Sequence, residues 1–406
     1  MSDATRAAEN AARHSYGRLV AWLAWRWRDL AAAEDALADA LLAALETWPV
    51  SGVPAAPDAW LLTVAKRNLL QQVRHERVVT DPRFAILFAE PVVTDQPVAI
   101  PDARLRLLFV CAHPAIDERA RTPLMLQSVL GLDAARIAEA FLTSPAAMAQ
   151  RLVRAKNQIR DSGIAFEEPE RAELPGRVRF VLEAVYAAYG AGWEDPGRND
   201  VAGAGLVDEA LFLARLVAEL LPDEPEAEGL IALVLYCESR RAARTGTDGE
   251  FVPLSAQDTT RWDATLHDAA ESALRRAAAM GRPGPFQIEA AIQSAHMQRL
   301  RGGVTPWPAI AGLYDALAAT RARGVLVSRA MAHAEAFGTE AGLAALAQVS
   351  EDSVRSYQPY WVARATLHAR AGDRSAADGA YTMALGLTES PALRAHLERL
   401  QRHPDW

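Results

Sequence analysis

Residues 60–77, WLLTVAKRNLLQQVRHER, combine an aromatic ring with several cations at helical spacing. At 100° per residue the apolar side holds Leu62, Ala65, Leu69 and Val73, and the polar side holds Trp60, Thr63, Arg67, Gln71 and Arg74. Cationic side chains bind phosphates, and an aromatic ring can stack on an unpaired base. The polar stripe therefore predicts a helix that binds nucleic acid. For Trp60 alone, packing against a neighbouring helix is the alternative, since large aromatics are usually buried.

Residues 133–163, DAARIAEAFLTSPAAMAQRLVRAKNQIRDSG, suggest base recognition. Ser144 is typical of a helix N-cap and Pro145 of a first helical position, so the segment predicts two helices joined by a short turn, as in a helix-turn-helix. In the second helix the expected buried positions are Met148, Leu152, Ala155 and Ile159, and the opposite face is expected to hold Gln150, Arg154 and Asn157, with Arg151 on a flank. Gln and Arg match base edges in a major groove, whereas Lys156 and Arg160 suit phosphates. An ordinary amphipathic hairpin is the alternative.

Residues 33–49, AEDALADALLAALETWP, predict a third helix, with an acidic face and an end at Pro49. Its apolar face is expected to contain Leu37, Leu41, Ala44, Leu45 and Trp48, and its acidic face Asp35, Asp39 and Glu46. A single acidic stripe is usually just a solvated face. Here it precedes a basic helix by one short loop, so the pair could bind a basic protein and DNA together.

Catalytic chemistry has little support in the sequence. Cys111 and His113 lie close together, but no second Cys/His cluster accompanies them and their neighbours are apolar. The sequence contains no glycine-rich phosphate loop and no nucleophile elbow. We therefore expect no enzyme activity, no cofactor and no metal.

The elements that must position these side chains are predicted to be helices. Half of the 406 residues are hydrophobic, Ala and Leu dominate, and alternating runs of β-branched residues are scarce, which favours an all-α protein of two or three domains. The two cysteines lie far apart, as expected in a reducing compartment. No signal peptide or membrane span is apparent, so we expect a cytoplasmic protein without a membrane partner.

The net charge of −8 is unevenly distributed. Residues 1–163 hold 19 basic and 18 acidic side chains, whereas residues 164–406 hold 24 and 33. The acidity therefore belongs to the C-terminal part. Because the N-terminal part is nearly neutral, its affinity for free DNA should be poor, and a partner should be needed to hold it on DNA.

Two segments interrupt the helical pattern. Residues 78–101 contain four prolines, which exclude a continuous helix and predict a tether, although Ile86, Leu87 and Phe88 at its centre are apolar. Residues 161–176 form a shorter break. The predicted domains are 1–78, a linker 79–100, 101–163, a linker 164–174, and 175–406.

The C-terminal region reads as helical hairpins. Ala377, Tyr381 and Ala384 have the small-aromatic-small spacing of a tetratricopeptide repeat, with a turn at Gly372 and Asp373. Ile310, Tyr314 and Leu317 repeat the spacing, and residues 325–349 form another candidate pair. For residues 175–300, unspecialised helical packing is equally favoured. In the loop 248–263 four residues could either fix the loop or bind a ligand: Gln257, Asp258, Arg261 and Trp262.

Taken together, these segments resemble bacterial RNA polymerase sigma factors of the sigma-70 class, in the extracytoplasmic-function (ECF) group. Such factors have a region 2 helical bundle, a flexible linker and a region 4 helix-turn-helix. The phrases IPDARLRLLFVCAHPA, MAQRLVRAK and LLPDEPEAEGLIALVL are similar to the subgroup with a tetratricopeptide-like C-terminal extension, of DUF6596 type. The resemblance spans nearly the whole chain.

The resemblance implies which partners the chain binds and which of its residues contact them. Asp35 and Asp39, with Glu46 on the same face, would dock on the coiled coil of the polymerase β′ subunit, and the β subunit would be a further partner. The −10 promoter element would be opened and read by Trp60, Lys66, Arg67, Gln71 and Arg74. The −35 element would be read by the helix that carries Ala146, Gln150, Arg151, Arg154 and Lys156. The C-terminal region is expected to contact the sigma domains and to control activity.

Several positions depart from the family pattern. Family members commonly have Asp at the place of Gln71, Glu or Gln at that of Ala38, and Glu-x-Thr at that of Pro145 and Ala147. These differences affect the expected promoter sequence and, to some degree, the expected affinity for the polymerase, but not the layout. The alternative is a repeat-domain scaffold protein whose helix-turn-helix does not initiate transcription.

Overall fold

The computed structural model describes nine stretches of the chain: residues 5–8, 11, 15–76, 102–141, 143–161, 169–193, 201–320, 322–388 and 390–402. Within them the side chains of 72–76, 201–205 and 352–353 lie outside the description. The described residues form nineteen α-helices and several short 3-10 turns. One isolated bridge joins Thr245 to Phe251, and the described residues contain no strand. The all-α prediction is confirmed.

The helices divide into two compact units. The first comprises Met1–Gly192 and Val201–Leu220, and the second comprises Trp193–Asp200 and Leu221–Trp406. The first contains nine helices within the described residues: α1 (Tyr16–Trp27), α2 (Leu30–Ser51), α3 (Pro57–Glu76), α4 (Ala103–Cys111), α5 (Glu118–Ser128), α6 (Ala134–Ala140), α7 (Pro145–Asp161), α8 (Leu174–Trp193) and α9 (Val201–Leu220).

Local sequence explains where these helices begin. Asp29, Asp102 and Asp133 each accept a hydrogen bond from a backbone N–H in the first turn of α2, α4 and α6. Ser144 does the same for α7, where the Ala147 N–H donates to Ser144 Oγ at 3.2 Å, and Pro145 is the first helical residue. The predicted start of α7 is therefore confirmed.

Three details of the predicted helices are wrong. Helix α2 does not end at Pro49 but continues to Ser51. Gly52 follows as the C-cap, with a φ of 85° that few other residues tolerate. Leu45 is 44% exposed, because it lies about 100° around the helix from buried Ala44. In α3, Leu61 is fully buried and Leu62 only partly, so Leu61 rather than Leu62 begins the buried stripe that Ala65 and Leu69 continue as predicted.

The second unit consists of helical hairpins. Its ten α-helices within the described residues are α10 (Pro225–Ser239), α11 (Ala264–Ala279), α12 (Pro285–Met297), α13 (Trp307–Leu317), α14 (Arg323–Phe337), α15 (Thr339–Leu346), α16 (Glu351–Val354), α17 (Gln358–Arg370), α18 (Arg374–Gly386) and α19 (Pro391–Arg402). Consecutive helices pack against each other, as in α10–α11, α14–α15 and α17–α18.

The last clear hairpin matches its sequence pattern. Ala377, Tyr381 and Ala384 are buried in α18, and Gly372 makes the turn with a φ of 79°. Small residues allow the helix backbones to approach, and the tyrosine ring fills the space between them. The assignment as tetratricopeptide-like repeats stays a prediction.

Residues 77–101, which include Ile86, Leu87 and Phe88 of the predicted tether, lie outside the described residues, as do 162–168 of the second break. The predicted domain limits remain predictions. In the structure, α8 and α9, which follow the predicted limit at 174, belong to the first compact unit apart from Trp193. None of the described helices has both the length and the apolarity that crossing a bilayer requires.

Candidate nucleic-acid interface

Helix α2 presents the acidic face that the sequence predicts. Asp35, Asp39 and Glu46 are exposed on the side opposite the buried Leu37 and Trp48. Two large apolar side chains accompany them, Leu42 at 60% exposure and Leu45 at 44%. We call these five exposed residues the α2 face: Asp35, Asp39, Leu42, Leu45 and Glu46. Exposed large apolar side chains that lie together can mark a protein-binding surface, and the solvated-face alternative does not account for them.

Helix α3 packs directly on α2 and carries the basic stripe. Arg67 and Gln71 are exposed, as predicted, together with Thr63, whose hydroxyl donates to Ala59 O at 2.8 Å. Arg74 lies in the helix, but its side chain is outside the described residues. Trp60 is half-buried, and its ring meets Trp48 edge-on with centroids 5.5 Å apart. Trp60 therefore packs against the neighbouring helix, which is the alternative that the sequence left open for it.

Lys66 contacts an aromatic ring that the sequence interpretation did not single out. Its Nζ lies 4.3 Å from the ring centroid of Trp22 on α1. Trp22 is 39% exposed, and Trp25, one turn further on, is 36% exposed. The first unit thus has aromatic rings and cations side by side across α1 and α3.

Helix α7 has the two predicted faces. Its buried positions are Met148, Leu152, Ala155 and Ile159, as expected. Ala146, Gln150 and Arg154 are exposed, and Arg151 is half-buried. Two side chains with hydrogen-bonding edges, Gln150 and Arg154, therefore stand one turn apart on an open face.

Lys156, which the sequence predicted to bind phosphate, is directed into the protein. Its ammonium forms an ion pair with the carboxylate of Glu34 on α2, and both side chains are largely buried. Ser128 Oγ at the end of α5 donates to the other Glu34 oxygen at 2.6 Å. In this arrangement Lys156 is directed toward α2, and its predicted role on DNA requires a different arrangement of the helices.

Two further contacts join α1 to the residues that follow α5. A Cβ added to Gly17 on α1 would lie 1.8 Å from the carbonyl oxygen of Val129, so only glycine permits this close approach. Tyr16 lies beside Gly131, where an added Cβ would be 3.4 Å from its Cδ1. Burial, followed by the charges of Glu34 and Asp35, raises the pKa of Tyr16. We call these contacts the module interface: Tyr16, Gly17 and Glu34 on one side, and Ser128, Val129 and Lys156 on the other.

Helices α8 and α9 contact α4–α6 within the first unit. Arg177 is buried, and its Nη1 donates to Phe109 O at 3.2 Å. The Arg104 guanidinium and the Glu209 carboxylate are 2.5 Å apart. Arg136 Nη2 donates to Ala191 O at 3.1 Å. Because these bonds use charged donors in partly buried places, they fix α8 and α9 against the helices that precede them.

The remaining candidates have structural roles. Cys111 is fully buried, and burial raises the pKa of its thiol, which is the opposite of nucleophile activation. No three His, Cys, Asp or Glu side chains among the described residues could share a metal ion. In the loop 248–263, Arg261 Nη1 donates to Thr245 O at 2.8 Å, and Gln257 and Trp262 are buried.

The residues that sequence interpretation missed are Gly17, Trp22 and Glu34. The WLAWRW stretch, with three Trp, one Arg and no acid, could have indicated Trp22. The partners of Glu34 are 94 and 122 positions away, which local periodicity does not reveal.

Comparison with known proteins agrees with this geometry. The family described as Sigma-70 region 2 matches residues 12–78, and a family of unknown function (DUF6596) matches residues 177–278. The uncharacterized protein R00370 of Rhizobium meliloti (strain 1021) is 34% identical over 390 residues, which cover 93% of this chain and 92% of that protein. The chain belongs to the sigma-70 family. No solved structure matches it.

The sigma region 2 match covers the helices α1–α3 that carry the α2 face and the basic stripe. Sigma region 2 implies binding to core RNA polymerase and to promoter DNA, and factors of this family are not catalysts. The DUF6596 match begins in α8, extends through α9 and α10 and ends in α11. The chain therefore carries a helical extension whose first two helices pack against α4–α6, the helices that follow the matched sigma segment.

Proposed function

We propose that this chain is an ECF-type sigma factor that directs core RNA polymerase to specific promoters. The observation that carries the proposal is the α2 face, exposed beside the basic stripe of α3 in the segment that matches sigma region 2. Asp35, Asp39 and Glu46 would contact the polymerase β′ subunit, with Leu42 and Leu45 supplying apolar area. Lys66, Arg67, Gln71 and Arg74 would contact the −10 element, where separated strands offer phosphates and base faces.

Region 4 would read the −35 element through α7. The exposed Gln150 and Arg154 have the donors and acceptors that adenine and guanine require, with Ala146 and Arg151 beside them. Lys156 would contact phosphate after leaving Glu34. The −10 and −35 elements lie about two helical turns apart, roughly 70 Å, whereas the module interface holds α2 and α7 in contact.

It follows that the described arrangement is a closed state. Binding to the polymerase would separate the two modules and expose Lys156. The contacts of α8 and α9 with α4–α6 support control by the extension, because a change in these two helices would act directly on the region 4 helices.

A reconstituted transcription assay tests the proposal. Core polymerase with the purified chain should yield discrete transcripts from a genomic promoter library, and core polymerase alone should not. Start-site mapping would then define the −10 and −35 sequences. Absence of chain-dependent transcripts, even for a variant truncated after residue 161, would contradict the proposal.

The alternative function is that of a scaffold protein that retains the sigma fold without initiating transcription. It is favoured by the substituted positions Gln71 and Pro145. Co-purification separates the two, because a scaffold would not bind core polymerase and Asp35→Arg would leave its associations unchanged.

A further inference from the structure

Helix α1 has a surface of exposed tryptophans and cations. Its twelve residues, YGRLVAWLAWRW, include three Trp and two Arg and no acid. Trp22 and Trp25 are exposed, and the rings of Trp22 and Trp27 lie 6.3 Å apart. Large aromatic side chains exposed on a folded protein usually mark a binding surface.

Each exposed ring is accompanied by a cation from another helix. Lys66 of α3, in the same module as α1, lies 4.3 Å from the ring centroid of Trp22, and in the closed state the Arg106 guanidinium of α4 lies 5.1 Å from the ring centroid of Trp25. A positively charged aromatic surface is complementary to single-stranded nucleic acid, in which a base stacks on the ring and the cation binds the phosphate. An acidic or a purely apolar partner would not use both groups.

We infer that Trp22 stacks on an unpaired base of the promoter strand that Lys66 holds by its phosphate. This inference rests on the proposed function and adds a residue of α1 to a surface that the sequence assigned to α3 alone. In the free chain Lys66 covers part of the ring. An exposed cation–π contact is weak, about 0.5–1 kcal/mol, whereas base stacking on an aromatic side chain contributes about 1–3 kcal/mol. A base can therefore displace the ammonium, which then meets the adjacent phosphate.

The experiment uses the full chain with core polymerase and two DNA probes from a mapped promoter: a non-template oligodeoxynucleotide that spans the melted segment, and an upstream duplex that carries only the −35 element. Trp22→Ala should weaken oligonucleotide binding about 5- to 100-fold and leave duplex binding unchanged. Trp22→Phe should recover most of the loss, because it keeps an aromatic ring. Permanganate reactivity of unpaired thymines in the intact promoter should fall in Trp22→Ala and recover in Trp22→Phe.

The matched control is Phe337→Ala, which removes a 60% exposed aromatic ring from the second unit and should match the wild type in both assays. Equal oligonucleotide binding by Trp22→Ala and the wild type would overturn the inference while the proposed function stands. Weaker binding of Trp22→Ala to core polymerase itself would also overturn it, since the face would then be a protein contact. If the wild-type chain fails to produce transcripts with core polymerase, the proposed function fails first, and the inference fails with it.

Discussion

Lys156 on α7 forms a largely buried ion pair with Glu34 on α2, and Ser128 Oγ donates to the same carboxylate at 2.6 Å. One residue of the predicted −35 helix is thereby fixed to the helix that carries the predicted polymerase contacts. Burial of a charged side chain is energetically tolerable only while the oppositely charged partner stays beside it. The pair therefore stabilises the closed state and is lost when the modules separate.

Glu34→Gln should favour the open state. Loss of one partner from a buried pair costs about 3 kcal/mol in the closed state, whereas in the open state Lys156 regains water. The apparent affinity for core polymerase should therefore rise, by up to about 100-fold if opening limits binding. Fluorescence anisotropy with labelled core polymerase measures this apparent affinity. The exchange Glu34→Lys with Lys156→Glu should restore the wild-type value. An unchanged affinity in Glu34→Gln would mean that opening does not limit binding.

Gly17→Ala should open the same interface without changing any charge. The added Cβ would lie 1.8 Å from the Val129 carbonyl oxygen, and overpacking of this kind costs about 1–3 kcal/mol. Limited proteolysis should show faster cleavage between residues 77 and 101 in this variant. Gly379→Ala, in α18 with open space around the glycine, is the matched control and should be cleaved like the wild type. Equal rates for Gly17→Ala and the control would argue against the module interface.

Charge reversal on the α2 face should weaken polymerase binding without unfolding the chain. Asp35→Arg and Asp39→Arg should each raise the Kd for core polymerase at least tenfold, equivalent to about 1.4 kcal/mol, with an unchanged Tm because both residues are exposed. Glu398→Arg on α19, an exposed acid of the second unit, is the control. Undiminished binding in both α2 variants would place the polymerase contact elsewhere.

Gln150→Ala and Arg154→Ala should relax promoter recognition at single base pairs of the −35 element. A bidentate contact contributes about 1–3 kcal/mol of discrimination, so the preference for one base should fall by about 5- to 100-fold at one position and persist at the others. Transcription from a library randomised in the upstream element measures these preferences. Val153→Ala, exposed on the same helix, should change none of them. A uniform loss across all sequences would instead indicate a phosphate contact.

His296 should make the second unit sensitive to acid. Burial, followed by the charges of Arg240 and Arg299, lowers its pKa from 6.5 to about 4. Since the unfolded histidine takes up its proton first as the pH falls, the stabilisation is complete above pH 6.5 and is lost progressively toward pH 4, by about 3 kcal/mol. Urea unfolding at pH 8 and pH 5 should show a smaller pH-dependent loss for His296→Gln than for the wild type. An equal loss in the two proteins would contradict the prediction.

Local sequence predicted α2, α3, the α6–α7 pair, the hairpin of α17 and α18, and the faces of α7, because capping residues and apolar periodicity act within a few residues. It misplaced Leu45 and the end of α2, where a proline in the last turn was tolerated. It did not predict the positions of Lys156 and Lys66. Lys156 was assigned to phosphate from its residue type and Lys66 to the −10 element from the family resemblance, and in the structure each contacts a residue far away in sequence, Glu34 and Trp22 respectively. Such long-range pairs depend on tertiary packing, which one helix does not encode.

The central claim is that α2 and α7 touch in the free chain and separate on the polymerase, so that each meets its own promoter element. Fluorescence energy transfer between dyes at Ser51→Cys and Asp161→Cys, both exposed and near the ends of these helices, tests this directly. The account predicts high transfer in the free chain and near-complete loss of transfer on core polymerase with promoter DNA. Undiminished transfer in a complex that is actively transcribing would contradict it.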